Sequence, residues 1–257
     1  DLENESDAQS ILKGSIFKAK VSRVETSLDA AFVNFGSERH GFLPLKELSS
    51  QNFTSNKDSN KKPFIKENDE ILVQVVKEER STKGAALTNQ ISLAGRFVVL
   101  IPNSEKSGGV SRRISGDERS DIKNIINKLN IPEGMSVIVR TAGLGRSIEE
   151  LKWDVDYLMN LWNQIQETAP NALSPSLIYK DDKLILRVFR DYFRDNIGEI
   201  LIDDKDVYNE AIEFATSVIP NHVDKVIFYD EDIPLFNRYQ IENQIELAFK
   251  REISLPS

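Results

Sequence analysis

The chain has 257 residues, 40% of them apolar, with 33 Lys and Arg against 41 Asp and Glu and a net charge of −8. That length allows one large domain or two smaller ones with real cores. The lack of cysteine excludes disulfides and thiolate metal sites and points to a reducing compartment, two histidines (His40 and His222) argue against a histidine zinc site, and no run reads as a membrane span or secretory signal.

The start, "DLENESDAQS", carries no Met and reads as the middle of a longer protein. Residues 14–150 hold 21 Lys and Arg against 17 acids, and residues 151–257 hold 11 against 20. A mildly basic first half joined to an acidic second half places any anionic partner on the first, although charge also varies along any chain. Gly14 to Glu25 alternates as a strand, with Phe17, Ala19 and Val21 on one face and Lys18 and Lys20 on the other. "AAFVNFGSERHGFLP", 30–44, reads as two strands around a polar turn. A Lys-, Asn- and Ser-rich loop follows, then strands at 70–79 ("EILVQVVKEE") and 86–95 ("ALTNQISLAG"). Five short strands with one long loop match a Greek-key barrel of the oligonucleotide-binding type.

Beyond it, "GRFVVLIPN" reads as a strand, "GDERSDIKNIINKL" as a helix, and "GMSVIVRTAGLGRS" as a strand entering a glycine turn. A long helix is predicted from about Ser147 to Thr168, with apolar positions at 148, 151, 155, 158, 162 and 165 and a Ser147–Glu150 capping box. Trp162 lies on that stripe and reads as core; Trp153 lies off it, at a domain seam. From Lys183 the pattern is strand ("KLILRVF"), strand ("GEILID"), helix ("KDVYNEAIEFATSVI"), strand ("KVIFYD") and helix ("PLFNRYQIENQIELAFKRE"), an α/β segment, with "ISLPS" opening another strand.

By strand parity Ala31, Val33 and Phe35 face a core, which leaves Phe32 and, across the turn, Phe42 on the other face. On a barrel of this type those rings would stack on unpaired bases, and Lys18, Lys20, Lys77, Arg80 and Lys83 would track phosphates. The alternative is that Phe32 packs under the lysine-rich loop. "VIVRTAGLGRS" places Arg140 and Thr141 at a strand end before a glycine turn and a helix. An anion there would meet an Arg fork, a hydroxyl and backbone N–H groups; equally, Arg140 pairs with a carboxylate in an ordinary turn. The acidic groups Asp181–Asp182, Asp203–Asp204 and Asp230–Glu231–Asp232 sit at strand ends or before helices, where capping and solvation account for them better than a two-metal site. His40 in a turn and His222 in a Pro-Asn loop read as local surface or hydrogen-bonding groups.

In order and spacing, "VSRVETSLDAAFVNFGSERHGFLPLKEL", "KEERSTKGAALTNQISLAGRFVVLIPN", "GGVSRRI", "PEGMSVIVRTAGLGRS", "FRDYFRDNIGEILID" and "IPLFNRYQIENQIELAFKREISLPS" resemble the ribonuclease E/G family over almost the whole chain. The resemblance implies a mixed α+β fold: an S1 barrel of the OB-fold class inserted in, or joined to, a ribonuclease-H-like α/β domain with a 5′-sensor subdomain. The boundaries it implies are 1–6 for a remnant of the ribonuclease-H-like part, 7–89 for S1, 90–185 for the sensor, 186–250 for the ribonuclease-H-like part resumed, and 251–257 for the start of a DNase-I-like catalytic subdomain.

For the intact protein the resemblance implies a cytoplasmic, single-strand-specific endoribonuclease of RNA decay and of rRNA and tRNA processing. Its magnesium and structural zinc would be bound outside this segment, and its homo-oligomer formed through downstream regions. It implies 5′-phosphate contacts from Gly95, Val99, Arg140 and Thr141, and RNA contacts from Phe32, Phe42 and Lys83, with Lys77 a lesser candidate. Arg112 and Arg113, after a glycine pair, would steer phosphates or be solvated surface. This segment is then expected to bind single-stranded, preferably 5′-monophosphorylated RNA without cutting it, and to contact neither DNA nor membrane. The rivals are a standalone S1-type RNA-binding protein, which a stop codon after Ser257 would mark, and a ribonuclease-H-like nuclease in its own right, which needs three or four convergent carboxylates.

Overall fold

The computed structural model describes residues 13–48, 65–79, 83–104, 109–110, 117–129, 131–180, 184–193 and 196–248. They fall into two compact units, one within 7–183 and one within 184–257.

The first unit opens with β1 (Ile16–Glu25), β2 (Ala30–Asn34), β3 (Gly41–Pro44), β4 (Glu70–Lys77) and β5 (Ala86–Thr88). The strands run in the order β1-β2-β3-β5-β4, and β4 returns to pair with β1, which closes the barrel. Closure leaves no unpaired edge among these five strands. Every second residue points inward: Phe17, Ala19, Val21, Ala31, Val33, Phe35, Leu43, Ile71, Val73, Val75 and Leu87 form one buried cluster. Phe17 and Phe35 meet edge to face at 5.2 Å inside it.

A second sheet combines β6 (Leu93–Ala94), β7 (Val98–Ile101), β8 (Gly109–Val110) and β9 (Ser136–Val139) in the order β6-β7-β9-β8. Helix α1 (Asp117–Lys128) lies between β8 and β9 in the chain. Helix α2 (Ile148–Asn171) packs its predicted stripe on this sheet, burying Leu151, Val155, Leu158, Trp162 and Ile165 with Phe97, Val98, Leu100, Val137 and Val139. Trp162 is core, as its place on the stripe predicts. The capping box also forms: Ser147 Oγ accepts from Glu150 N at 3.2 Å, and Ser147 N donates to Glu150 Oε2 at 3.0 Å. A last strand, β10 (Ser176–Tyr179), pairs with the outer side of β1, a pairing the sequence pattern did not suggest.

β1 and β4 serve both cores. Phe17, Ala19, Val21, Ile71, Val73 and Val75 enter the barrel, whereas Ile16 and Leu72 enter the cluster around α2. Lys18 lies on that second face and is 5% exposed. Its Nζ donates to Pro170 O at 3.3 Å and Ala172 O at 2.9 Å and pairs with Glu70 at 3.2 Å. The expectation that Lys18 tracks phosphate is therefore corrected. It satisfies carbonyls at the C-terminal end of α2, where a cation also meets the negative pole of the helix. "ALTNQISLAG" is likewise two strands in two sheets, β5 and β6, with Asn89 between them donating to Leu72 O.

The second unit holds α3 (Leu184–Arg187), β11 (Ile200–Ile202), α4 (Lys205–Val218), β12 (Val226–Phe228), α5 (Leu235–Arg238) and α6 (Ile241–Ala248). β11 and β12 are parallel and α4 connects them, a βαβ unit. Two sequence expectations change here. The described part of "KLILRVF", from Leu184 on, is helical: α3 runs into a π-turn closed by Phe193 N donating to Val188 O, which seats Phe189 against Phe214. A short apolar run does not distinguish helix from strand, and packing decided it. The last predicted helix is broken between α5 and α6, where Gln240 adopts φ 55°.

Candidate nucleic-acid interface and phosphate site

Phe32 and Phe42 are directly opposed across β2 and β3, with ring centroids 6.2 Å apart at 76°. Both lie on the face away from the barrel core, and Phe42 is 36% exposed. Edge-to-face rings of this kind hold each other in place while leaving ring faces for other partners.

The register extends this pair into a row across four strand pairings. Arg23 stands opposite Phe32, Phe42 opposite Ala86, and Ala86 opposite Lys77. The row reads cation, ring, ring, small residue, cation. The Arg23 guanidinium carbon lies 5.1 Å from the Phe32 ring centroid, within cation–π range, and its side chain is 61% exposed.

Two bulges build the row. The β1–β2 register shifts between Val21 and Arg23, and the β4–β5 register shifts between Val75 and Lys77. Strict alternation from Val21 or Val75 would turn Arg23 and Lys77 inward. Each bulge adds one residue, keeps the valine in the core and re-aims the cation outward. Lys83 is exposed, three residues before Ala86 in the chain. Its neighbour Gly84 lies so close to the loop before β3 that a Cβ there would stand 2.2 Å from the His40 carbonyl oxygen. The next residue, Ala85, accepts from Phe42 N at 2.8 Å. Lys20 is exposed opposite Asn34, one row along. Arg80, Arg112 and Arg113 lie outside the described residues.

The second candidate site is the junction of β6, β7 and β9. Arg140 directly follows β9, and its backbone N donates to Phe97 O at 2.8 Å. Its guanidinium Nη1 donates to Gly95 O. Gly95 N in turn donates to Val98 O at 2.9 Å. Val99 pairs with Ala94 and Ile138 and is half-buried, and Thr141 is exposed at the start of a short 3₁₀ turn, Thr141–Gly143. The four residues thus come together, with Gly95 and Arg140 in direct contact.

Gly143 is required by close packing, since a Cβ would meet Phe97 O at 2.9 Å. Gly145 supplies φ +71°, the left-handed turn before α2. The turn amides are in part engaged. The N–H groups of Gly143, Leu144, Arg146, Ser147 and Glu150 are all committed to acceptors within the turn and cap. The side chains of Arg140 and Thr141 stand beside this turn as candidate donors to an anion.

Sequence reading missed Arg23 and also Asp154, a 0% exposed carboxylate beneath the turn between β6 and β7. For Asp154 a signal existed: it is a lone acid on the apolar stripe of α2.

The acidic groups take structural parts. Asp204 caps α4, accepting from Asp206 N and Val207 N at 2.9 Å each. Glu231 lies 3.7 Å from Arg238 and accepts from Tyr229 Oη. Asp181 and Asp182 lie outside the described residues. Among the described residues no group of three or more His, Cys, Asp or Glu is placed to hold a metal ion, and no helix is long and apolar enough to cross a membrane. His40 is exposed, and His222 packs edge-on against Phe193 at 5.4 Å.

Comparison with known proteins places this geometry. The S1 RNA binding domain matches residues 11–89 and the ribonuclease E/G family matches residues 92–257. Ribonuclease E of Haemophilus influenzae is 47% identical over 261 residues, covering 100% of this chain and 28% of the relative. Ribonuclease E of Escherichia coli is 48% identical over 262 residues, covering 100% of this chain and 25% of the relative. Ribonuclease G of Haemophilus influenzae is 34% identical, covering 98% of this chain and 53% of the relative. The chain thus spans about a quarter of the length of these two ribonuclease E relatives. The ribonuclease E/G match over residues 92–257, more than half of the chain, beside the S1 match over residues 11–89, shows that this chain belongs to the ribonuclease E/G family.

Proposed function

We propose that this chain is the RNA-recognition part of a single-strand-specific endoribonuclease, and that it grips RNA at two places. The Arg23–Phe32–Phe42–Ala86–Lys77 row, together with Lys83, stacks unpaired bases and neutralises their phosphates. Arg140 and Thr141 receive a 5′-terminal monophosphate, flanked by Val99, and Gly95 acts through the carbonyl that holds the Arg140 guanidinium. Arg112 and Arg113 are assigned to steering phosphates.

The subdomain boundaries proposed are S1 over 7–89, a 5′-sensor over 90–185 and a ribonuclease-H-like part over 186–250, with 1–6 as its remnant and 251–257 opening the DNase-I-like part. Phosphodiester hydrolysis with magnesium, zinc binding and oligomer formation are assigned to the intact cytoplasmic enzyme, outside these residues. The observation that carries the reading is the aromatic row flanked by cations. Rings on the wet side of a barrel are of little use to the barrel's own core, whereas every base offers a face to stack on.

The test is titration of the purified chain with a fluorescent single-stranded A/U-rich RNA, repeated from low to moderate salt. Binding is expected, with a slope of log affinity against log salt of about −2 if Arg23, Lys77 and Lys83 each neutralise one phosphate. The same RNA incubated with the chain and magnesium is expected to stay intact. A folded sample that takes up no RNA at low salt overturns the recognition role; cleavage by the chain overturns the assignment of hydrolysis elsewhere.

A further inference from the structure

We infer that Asp154 is a positioning residue for the 5′-phosphate site, setting from beneath the turn that aims the Arg140 guanidinium. The inference rests on reading Arg140 and Thr141 as phosphate ligands.

Asp154 projects from α2 between Leu151, Val155 and Leu158 and is wholly buried. Its Oδ1 accepts from Arg96 N at 3.1 Å, and its Oδ2 accepts from Phe97 N at 2.7 Å and Val98 N at 2.9 Å. Three consecutive amides converge on one carboxylate, the arrangement by which a backbone concavity holds an anion. The same turn carries the two acceptors that fix Arg140: Gly95 O takes the guanidinium, and Phe97 O takes the Arg140 amide. A single side chain thus determines both the height of the strand end and the direction of its guanidinium. Contact is tight on the other side too, since a Cβ on Gly95 would lie 2.5 Å from both carboxylate oxygens.

Burial pushes the Asp154 carboxyl above the ordinary aspartate value, against the pull of the three amides and of Arg140. Because the folded value exceeds the unfolded one, the cost to folding is absent below the ordinary aspartate range and complete above the raised value.

The test compares affinities of the full chain for one RNA sequence carrying a 5′-monophosphate or a 5′-hydroxyl. Asp154→Asn keeps the shape but turns a donor toward amides that need an acceptor. It is expected to lower the monophosphate-to-hydroxyl affinity ratio by threefold or more. Gly95→Ala, which presses the turn off the carboxylate, is expected to lower it too. A folded Asp154→Asn protein with the wild-type ratio, or with equal losses for both RNAs, overturns the inference and leaves the phosphate site standing. A wild-type chain with no preference overturns both. Hydrogen exchange on the wild type needs no variant to fold: the Arg96–Val98 amides are expected to exchange more slowly with the monophosphate RNA than with the hydroxyl RNA, and equal rates overturn the inference.

Discussion

Replacing Phe32 or Phe42 by alanine is expected to weaken single-stranded RNA binding by about 1–3 kcal/mol each, the range for one base stacked on one ring. That is roughly a 5- to 150-fold loss in affinity. The two losses should not simply add, because the rings hold each other edge to face at 6.2 Å. Removing Phe32 also removes the surface over which the Arg23 guanidinium lies, so this single change is expected to flatten the salt dependence as well. Stability should change far less. Both rings lie off the core face, and an edge-to-face pair contributes about 0.5–1.5 kcal/mol beyond its burial. Phe→Leu separates stacking from mere apolar contact, since leucine keeps the apolar surface and loses the ring. Titration of wild type, the two alanine variants, their double and the leucine variants decides the matter, with thermal melts alongside. Affinity within a factor of two of wild type in the folded double variant would remove the row from the binding surface.

The same row shows how far the sequence could be read. Alternation assigned Ala31, Val33 and Phe35 to the core and Phe32 to the other face, and the register bears this out. It failed at Arg23, because the bulge after Val21 reverses parity and no local residue type announces a bulge. The helical stripe of α2 was legible because a 24-residue element repeats its pattern often enough to outvote exceptions. Lys18 was not legible as a helix-end partner. That role depends on Pro170 and Ala172, some 150 residues away in the chain, reaching the far side of a strand that serves two cores. "KLILRVF" carried too few residues for either period to win, so the packing of Phe189 and Phe193 settled its conformation. For the phosphate site, the glycines signalled a turn, and the resemblance named Arg140 and Thr141. The carboxylate beneath the β6–β7 turn follows from hydrogen bonds between segments more than 50 residues apart.

Arg140→Ala is expected to abolish most of the preference for a 5′-monophosphate. Hydrogen bonds to charged groups contribute about 1.5–3 kcal/mol each, so the loss should be roughly 10- to 150-fold in affinity for phosphorylated RNA and small for its hydroxyl counterpart. The geometry explains why a lysine should not substitute. One guanidinium N–H is held by Gly95 O, which fixes the plane of the fork before any ligand arrives. A lysine ammonium keeps the charge but has no plane to fix, so Arg140→Lys should retain salt-dependent attraction and lose discrimination. The two variants therefore separate attraction from orientation. If orientation matters, lysine behaves like alanine in the ratio of the two RNAs and like arginine in the salt slope. If charge alone matters, lysine restores both. An Arg140→Ala chain with the wild-type ratio would show that the terminal phosphate is read elsewhere, while the base-stacking row, built from earlier strands of the chain, would be untouched by that result.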